Sequence, residues 1–381
     1  MKNIIAFLFA ILLLGCKQVD KKEEEHDLKQ DKGFEKLITS IDNYANETLE
    51  QGNINTISLA IYKEGKVYHN YYGKKTNLTD STHFEIASIT KVFTGSLVAK
   101  AVLENKIKLE DDIRLYLKGD YSNLEFQGTP ITIKDLLTHT LGFKDRRPPK
   151  LDKIWENVSK GVYETKPIDY SLEDFLEELK NVELDKKPGT YYTYNSVGPE
   201  ILAYILEQVY QESYEIILDS FLSELDMKSA YLEGNKLASK YLVDGYDENG
   251  KLAPKAKNIL LGGGGGMVAT LPDLIKFMKF QLESDNPLIK ESTKQLYVDR
   301  EGDKTGYLWD VDFAEKEGFY YKKTGTSNGV QSVILICPDT KYGLILIANN
   351  TSEKAFIDWA TLYNKIETDL INYPMKTKEI K

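Results

Sequence analysis

Cysteine and histidine are scarce in this chain, and their scarcity excludes several classes of protein. The 381 residues include two cysteines, Cys16 and Cys337, and four histidines, none of which shows a metal-ligand spacing such as HExxH. Because Cys16 lies in a segment with the pattern of a cleaved leader, Cys337 has no partner for an intramolecular disulfide. A disulfide framework and a cysteine-based structural metal site are therefore both excluded.

Basic charge is also in short supply. The chain carries 49 Lys and Arg against 59 Asp and Glu, which gives a formal net charge of −10. Nucleic-acid binding depends on clustered Lys and Arg, and no long basic patch with interleaved aromatic residues is present. We therefore expect no nucleic-acid partner. Hydrophobic residues make up 41% of the chain, which favours a packed globular protein over a disordered one.

Two familiar glycine motifs are missing as well. The glycine run at 262–266 fails the dinucleotide pattern GxGxxG, because Met267 stands where the third glycine belongs. A backbone that passes close to a neighbouring group is the better interpretation of this run. The chain also has no GxSxG elbow, and its histidines lie far from any serine or aspartate signature, which argues against a Ser-His-Asp hydrolase.

The N-terminus has the pattern of a targeting segment. One basic residue, Lys2, precedes an apolar run over 4–14 that is too short to span a bilayer comfortably. The run ends at Gly15-Cys16 and resembles the lipobox of bacterial lipoproteins, so we expect a signal peptide over 1–16 and a lipid on Cys16. The alternative is a plain secretory signal with an incidental cysteine. The predicted location is the cell envelope, on the periplasmic or outer-surface side.

The remaining chain divides into a charged tether over 17–33, a folded domain over 34–373 and a tail over 374–381. Apolar spacing predicts helices over 34–50, 89–103, 133–137, 172–179, 197–209, 214–225, 271–282 and 353–371. Strand-like runs occupy 57–62, 67–72, 319–323, 330–336 and 342–347. Strands lie early and late, with helices between them. This order predicts an α+β fold in which both ends form a central antiparallel sheet (about 34–85 and 255–373) and the middle forms a helical lobe (about 86–254).

A serine and a lysine three residues apart mark one candidate site. Ser88-Ile89-Thr90-Lys91 fits S-x-x-K at the start of a predicted helix, where residues three apart share a face. The helix N-terminus adds partial positive charge near Ser88. Taken alone, a serine N-cap followed by a solvated lysine is the simpler interpretation.

The tripeptide Lys-Thr-Gly occurs twice, and its context separates the two copies. Residues 304–306 lie in REGDKTG, which we interpret as a charged loop. Residues 323–325 end the strand-like FYYKKTG and precede another strand. Catalysis favours a motif on a rigid strand that lines a cleft, so we choose Lys323 and treat the first copy as a coincidence.

Tyr194, in KKPGTYYTYNSVG, is a third candidate, because it precedes a predicted helix and its phenol can relay a proton. The alternative is an aromatic packing ridge, since Tyr191 and Tyr192 are nearby and the chain has 25 tyrosines. With no catalytic histidine in view, a serine activated by a lysine and a tyrosine is the coherent option.

These stretches, taken in order, resemble the serine β-lactamase and penicillin-binding-protein superfamily on its class C, esterase and D-alanyl-D-alanine carboxypeptidase side. The supporting segments are FEIASITKVFTG, ITIKDLLTHTLGF, PGTYYTYNSVGPEILAYILE, GGGGGMVATLPDLIKF and KKTGTSNGVQSVILICPDTKYGLILIANN. The resemblance covers roughly residues 34 to 350. It implies a β-lactamase/transpeptidase-like fold, an antiparallel sheet flanked by helices with an all-helical lobe, and an active site between the two. His139, in THTLG, is interpreted as structural.

The resemblance also implies roles for individual residues. Ser88 matches the acylated nucleophile, Lys91 its partner base, Tyr194 the Tyr of Y-x-N, and 323–325 the third motif. The backbone N–H groups of Ser88 and Thr326 would form the oxyanion hole. The substrate-binding positions would be Thr324, Gly325 and Ser196. Ser196 stands where the family has an asparagine, and Asn195 is one residue out of frame.

The sequence therefore predicts a serine hydrolase that acts on an ester, amide or β-lactam carbonyl through an acyl-enzyme, with an esterase or D-amino-acid peptidase activity. The alternatives are a true class C-like β-lactamase and a non-catalytic binding lipoprotein of the same fold. Both Lys91 and Tyr194 stay open as the general base. No metal or organic cofactor is required. The expected partners are a small-molecule or peptidoglycan-type acyl substrate and, through the lipid, a membrane.

Overall fold

Helices occupy most of the middle of the chain, and the longest strands lie towards its two ends. The computed structural model describes residues 19–73, 77–162, 168–232 and 241–373. Its helices are α1 (Val19–Glu50), α2 (Thr90–Leu103), α3 (Ile133–Leu137), α4 (Pro149–Ser159), α5 (Leu172–Leu179), α6 (Val197–Tyr210), α7 (Tyr214–Glu224), α8 (Leu271–Glu283), α9 (Pro287–Ser292) and α10 (Glu353–Asn372). Its strands are β1 (Thr56–Lys63), β2 (Lys66–Gly73), β3 (His83–Glu85), β4 (Glu125–Phe126), β5 (Thr129–Pro130), β6 (Tyr231–Leu232), β7 (Met267–Thr270), β8 (Tyr297–Val298), β9 (Lys304–Thr305), β10 (Asp310–Ala314), β11 (Gly318–Thr326), β12 (Gln331–Cys337) and β13 (Tyr342–Ala348).

The central sheet joins the two ends of the chain. Its eight strands lie in the order β2-β1-β13-β12-β11-β10-β9-β8, and all neighbours are antiparallel. β1 pairs with β13, so that Ile57 lies opposite Ala348. This arrangement confirms the predicted α+β fold class and the prediction that both ends of the chain build one sheet.

Both faces of the sheet are covered, because alternate side chains of each central strand enter different cores. On β1, Ile57, Leu59 and Ile61 join the core beneath α1 and α10, whereas Ala60 and Tyr62 join the larger core that contains α2 and α8. Burying one such aliphatic side chain contributes about 1.5–3 kcal/mol. Helices α2 to α7 follow one another inside the stretch predicted as the helical lobe.

A second, three-stranded sheet brings distant parts of the chain together. Its order is β3-β7-β6, and Glu85 at the end of β3 lies opposite Val268 on β7. Because the two strands are antiparallel, the residues that follow β3 meet the residues that precede β7. Ser88 therefore lies beside the glycine run at 262–266. β3 and β7 were not predicted, since strands of three and four residues are too short to show a period.

The first helix begins earlier than predicted. α1 starts at Val19, inside the stretch interpreted as a charged tether, so residues 19–33 are helical. Phe34 is nevertheless the first buried side chain among the side chains that the structure describes, and it lies where the folded domain was predicted to begin. Residues 1–18, with Cys16, and the predicted tail at 374–381 lie outside the described residues.

Most of the longer predicted elements are present, with ends that differ by a few residues at most. The bounds of α3 and α5 agree with the prediction, and the Thr132–Asp135 capping box at α3 is formed. The interpretation of 304–306 as a charged loop was wrong, because Lys304 and Thr305 form β9 at the far side of the sheet. Among the residues that the structure describes, no helix combines the length and the apolar character needed to cross a membrane.

Candidate active site

A tight turn presents Ser88 at the start of a buried helix. Ala87–Ile89 form a 3-10 turn that runs directly into α2. Ala87 has φ +47°, a left-handed conformation that costs a non-glycine residue about 1–2 kcal/mol. Such strain concentrates at functional sites, where the surrounding structure holds it in place. Ser88 is half-buried and lines a cavity.

Lys91 lies one helical turn further along and is fully buried. Its Nζ donates to Ser88 Oγ at 3.1 Å, to Ser196 Oγ at 3.1 Å and to the carbonyl oxygen of Gly264. Burial lowers the pKa of Lys91; the neighbouring Tyr194 opposes this, and the positive charge of Lys323 adds to it. The lowered pKa favours the neutral amine that a base requires. The simpler interpretation of Lys91 as a solvated residue is wrong.

Tyr194 reaches the same hydroxyl from the other side. Its OH donates to Ser88 Oγ at 2.7 Å, and the ammonium groups of Lys91 and Lys323 lie 5.0 and 5.2 Å from its ring centroid. Burial raises the pKa of Tyr194, but the charges of Lys91 and Lys323 outweigh it, and the net pKa is lowered. Two groups with lowered pKa values therefore contact the nucleophile, and both remain candidates for the base.

Lys323 completes the cluster from β11. It is 3% exposed and forms an ion pair with Asp310 of β10 at 3.2 Å. A Cβ on Gly325 would lie 2.3 Å from the carbonyl oxygen of Ile86, so glycine is what lets β11 approach the turn that carries Ser88. Sequence reasoning missed Asp310, because β10 has only five residues and follows a loop.

The predicted frame for Ser196 agrees with the geometry. Ser196 faces the site and accepts a hydrogen bond from Lys91. Asn195 is buried and turned away: its amide donates to the carbonyl of Thr193 and its Oδ1 accepts from the N–H of Gly198. Asn195 thus provides a hydrogen-bond acceptor for a backbone N–H at the start of α6. A serine hydroxyl lies at the position where the resemblance implies an asparagine amide.

The glycine run packs its backbone against α6. A Cβ on Gly263 would lie 2.7 Å from the carbonyl oxygen of Pro199, and one on Gly264 would lie 2.9 Å from the Cβ of Ser196. This supports the interpretation of the run as a close backbone approach. The carboxylate of Glu200 accepts from the N–H groups of this run, a feature that the sequence analysis missed. The available signal was an acid inside the apolar stretch VGPEILAYIL.

The cavity beside Ser88 has a volume of about 270 Å³ and an apolar wall. Its lining includes Tyr194, Ser196 and Thr326 at the catalytic end. Leu151, Trp155 and Val158 of α4 line it further out. The sequence analysis did not identify α4, although Leu151, Ile154, Trp155 and Val158 have helical spacing.

Two arginines, Arg146 and Arg147, also line the cavity. Arg147 forms an ion pair with Asp152 at 2.6 Å, and its guanidinium lies 5.2 Å from the Trp155 ring centroid. Arg146 donates from Nε to the carbonyl oxygen of Tyr194 at 3.2 Å.

The ring of His139 packs against the ring of Tyr194. It is buried, and its ring centroid lies 4.6 Å from that of Tyr194 and 5.8 Å from that of Tyr192. Burial lowers the pKa of His139 well below its usual value, and the nearby positive charges add to this. A neutral packing role fits the prediction that His139 is structural.

Thr324 and Thr326, two of the remaining predicted residues, have exposed side chains. Thr326 shares the cavity with Ser88, as the predicted oxyanion hole requires. Thr324 has an exposed side chain and lies outside the described lining of this cavity. The substrate-binding roles assigned to Thr324, Gly325 and Ser196 stay predictions.

Comparison with known proteins gives a consistent result. A family model described as Beta-lactamase matches residues 41–366. Protein flp of Staphylococcus aureus (strain MRSA252) is 29% identical over 349 residues; the match covers 87% of this chain and 66% of the relative, so the chain spans just under two thirds of that relative's length.

Solved structures show the same fold. A beta-lactamase/D-alanine carboxypeptidase from Yersinia pestis complexed with citrate superposes with a TM-score of 0.74 at 20% identity, covering 87% of this chain and 97% of that one. A class C beta-lactamase superposes with a TM-score of 0.72 at 20% identity, covering 90% and 98%.

Proposed function

The chain belongs to the beta-lactamase family, and on that premise we propose that it is a serine hydrolase that forms an acyl-enzyme on Ser88. The observation that carries the proposal is the pair of hydrogen bonds to Ser88 Oγ, from Lys91 Nζ at 3.1 Å and from Tyr194 OH at 2.7 Å. A nucleophile within hydrogen-bond reach of a base with a shifted pKa is the arrangement that covalent catalysis requires.

The proposed reaction has two halves. Ser88 Oγ attacks the substrate carbonyl carbon while its proton passes to Lys91 or Tyr194, whichever is unprotonated. The N–H groups of Ser88 and Thr326 donate to the resulting oxyanion. The bond to the leaving group then breaks, and the leaving group takes the proton from the base. A water molecule next loses a proton to the same base and attacks the ester carbonyl, which releases the acid and returns the proton to Ser88.

We propose an ester or a D-amino-acid peptide as the substrate class, with an apolar acyl group against α4. Leu151, Trp155 and Val158 supply the apolar surface. The guanidinium of Arg146, which also lines the cavity, would form an ion pair with an anionic substituent of the substrate. Ser196 Oγ accepts from Lys91 and keeps a single O–H to donate to the side-chain amide carbonyl of a β-lactam, where an asparagine would offer two N–H donors. β-Lactam hydrolysis is the second candidate, and membership of the beta-lactamase family favours it.

A substrate panel tests this proposal. Purified protein and its Ser88→Ala variant are assayed for kcat/KM on 4-nitrophenyl acetate, 4-nitrophenyl butyrate, a peptide ending in D-Ala-D-Ala and a chromogenic cephalosporin. We expect wild-type turnover that is highest on the esters, and none from the variant. Turnover of the cephalosporin above both esters would replace the proposed class with the β-lactamase alternative.

The lipid anchor is a separate proposal that rests on the sequence alone. Gly15-Cys16 follows an apolar run and precedes a charged segment, and we propose that Cys16 carries a lipid that holds the hydrolase at the cell envelope. Expression of wild type and Cys16→Ser, followed by membrane fractionation, tests this. The variant is expected in the soluble fraction, and an unchanged distribution would contradict the proposal.

A further inference from the structure

Glu200 is a buried acid beside the proposed catalytic cluster, and the mechanism above gives it no role. It lies in the first turn of α6, four residues after Ser196, and is 7% exposed. Its neighbours along the helix, Ile201 and Leu202, belong to the core. A carboxylate in such surroundings is costly unless several donors satisfy it.

Two backbone donors hold this carboxylate, one on each oxygen. Oε1 accepts from the N–H of Gly264 at 2.9 Å, and Oε2 accepts from the N–H of Gly262 at 3.0 Å. A protonated acid would turn an O–H towards one of these N–H groups, so the contacts match the ionised form. Burial raises the pKa of Glu200, while the two N–H groups and the charge of Lys91 lower it in part.

Gly264 links this carboxylate to the proposed base. Its N–H donates to Glu200, and its carbonyl oxygen accepts from Lys91 Nζ. A Cβ on Gly264 would lie 2.9 Å from the Cβ of Ser196 and 3.2 Å from Oε1 of Glu200, so the glycine backbone fits tightly against α6. The position of the carbonyl that holds Lys91 therefore depends on Glu200.

Glu200 also alters the charge around Lys91. Its negative charge and that of an ionised Tyr194 raise the pKa of Lys91, whereas burial and the charge of Lys323 lower it. Other titratable groups on the elements packed around this cluster include Asp310, which pairs with Lys323, and His139, which burial keeps neutral. Tyr214 of α7 and Glu291 of α9 are further examples.

We propose that Glu200 is a positioning residue, which fixes the Gly264 carbonyl against Lys91 and supplies the buried negative charge that balances the cluster of cations around Ser88. The inference rests on the proposed function, in which Ser88 is acylated with Lys91 or Tyr194 as base. Loss of the Glu200 charge is expected to alter the pH at which the base becomes active, whereas loss of its hydrogen bonds to the glycine run alone is not.

The test measures acylation against pH in four proteins. Single-turnover release of 4-nitrophenol from 4-nitrophenyl acetate is followed between pH 5 and pH 10. This range lies below the ordinary pKa values of about 10 for Tyr and 10.4 for Lys, because the pKa values of both Tyr194 and Lys91 are lowered. The proteins are wild type, Glu200→Gln, Glu200→Asp and Glu291→Gln. Glu291 is an equally buried acid on α9, where it accepts from Tyr307 and pairs with Lys294.

Glu200→Gln removes a charge that favours protonated Lys91, so the acidic limb of the rate profile should move to lower pH by about one unit. Its plateau rate should fall roughly tenfold, because the amide cannot accept from both N–H groups. Glu200→Asp keeps the charge on a shorter side chain, so the plateau should fall while the limb stays in place. Glu291→Gln should change neither.

The outcomes separate this inference from the proposed function. A wild type that releases no 4-nitrophenol defeats the acyl-enzyme proposal itself. An active wild type whose acidic limb is unchanged in a folded Glu200→Gln variant overturns the role of Glu200 alone. If the glutamine variant does not fold, Glu200→Asp decides: a lowered plateau with an unchanged limb supports the inference, and an unchanged plateau overturns it.

Discussion

The tripeptide Lys-Thr-Gly occurs on both sides of β10, and the two copies have different surroundings. Residues 323–325 lie on β11, and residues 304–306 begin on β9. β10 supplies an aspartate to each lysine: Asp310 pairs with Lys323, and Asp312 pairs with Lys304. The same three residues, in the same sheet and with the same type of partner, therefore permit a direct comparison.

The two lysines differ in how deeply their side chains are buried. The Lys323 side chain is 3% exposed and lies 5.2 Å from the Tyr194 ring centroid, whereas the Lys304 side chain is 32% exposed. A charge affects its neighbours far more where solvent is excluded. Burial raises the pKa of Tyr194, and Lys323, together with Lys91, lowers it. The comparison teaches that burial, and not the tripeptide itself, distinguishes the copy for which we propose a catalytic role from the other copy.

The largest difference in kcat/KM between the two copies is expected when each lysine is replaced by alanine. Lys323→Ala takes away the buried charge beside Tyr194 and Lys91, and we expect kcat/KM on 4-nitrophenyl acetate to fall roughly 10²- to 10³-fold. Lys304→Ala removes a half-exposed ion pair and should stay within about twofold of wild type. Steady-state kinetics of the two folded variants, with circular dichroism as the check on folding, decide this. Equal losses in both variants would remove the distinction between the copies.

The two glycines give a second contrast. A Cβ on Gly325 would lie 2.3 Å from the carbonyl oxygen of Ile86, and one on Gly306 would lie 2.6 Å from that of Lys294. Both alanine variants should lower the melting temperature. Only Gly325→Ala displaces the turn that carries Ser88, so its acylation rate should fall roughly tenfold to a hundredfold. Gly306→Ala, assayed well below its melting temperature, should acylate at the wild-type rate; a matching loss there would contradict the account.

The pH profile sharpens the same comparison. Lys323 lowers the pKa of both Lys91 and Tyr194. A group with a lowered pKa is already unprotonated at lower pH, so removing the positive charge raises that pKa and delays activity to higher pH. The acidic limb of Lys323→Ala should therefore move upward by about one pH unit, opposite to the shift expected for Glu200→Gln. If the acidic limb of the Lys304→Ala profile moved by the same amount, the burial of the lysine and its distance from Tyr194 would not determine the shift.

Substrate preference should show the smallest effect. Ser196 accepts a hydrogen bond from Lys91 and offers one O–H where an amide would offer two N–H donors. Ser196→Asn should raise kcat/KM on a chromogenic cephalosporin relative to 4-nitrophenyl acetate by about tenfold, the value of one hydrogen bond. Ser196→Ala is the matched control and should give no such gain. An asparagine variant with an unchanged ratio would show that Ser196 does not set preference.

The sequence predicted those parts of the fold and the site that have a local signal. β12 and β13 each contain an apolar run, and α3 carries its own capping box, so each could be located alone. Ser88 and Lys91 are joined by helical spacing. The copy at 323–325 could be chosen because it ends the strand-like FYYKKTG and precedes a second apolar strand, whereas the copy at 304–306 lies in the charged stretch REGDKTG.

The parts that could not be predicted depend on contacts between distant segments. Asp310 becomes relevant only through the pairing of β10 with β11, and Glu200 only because β3 and β7 bring the glycine run beside Ser88. The two-residue strands carry no periodicity at all. Side-chain burial across such contacts also sets the pKa of Lys91, and no local pattern encodes it.

The central claim is that Ser88 becomes acylated, and intact-mass spectrometry tests it most directly. Wild type and Ser88→Ala are mixed with 4-nitrophenyl butyrate, quenched in acid within seconds and analysed whole and after proteolysis. The account predicts one added butyryl group per wild-type molecule, on the peptide that contains Ser88, and no adduct on the variant. An adduct on any other residue, or an equal adduct on Ser88→Ala, would contradict it.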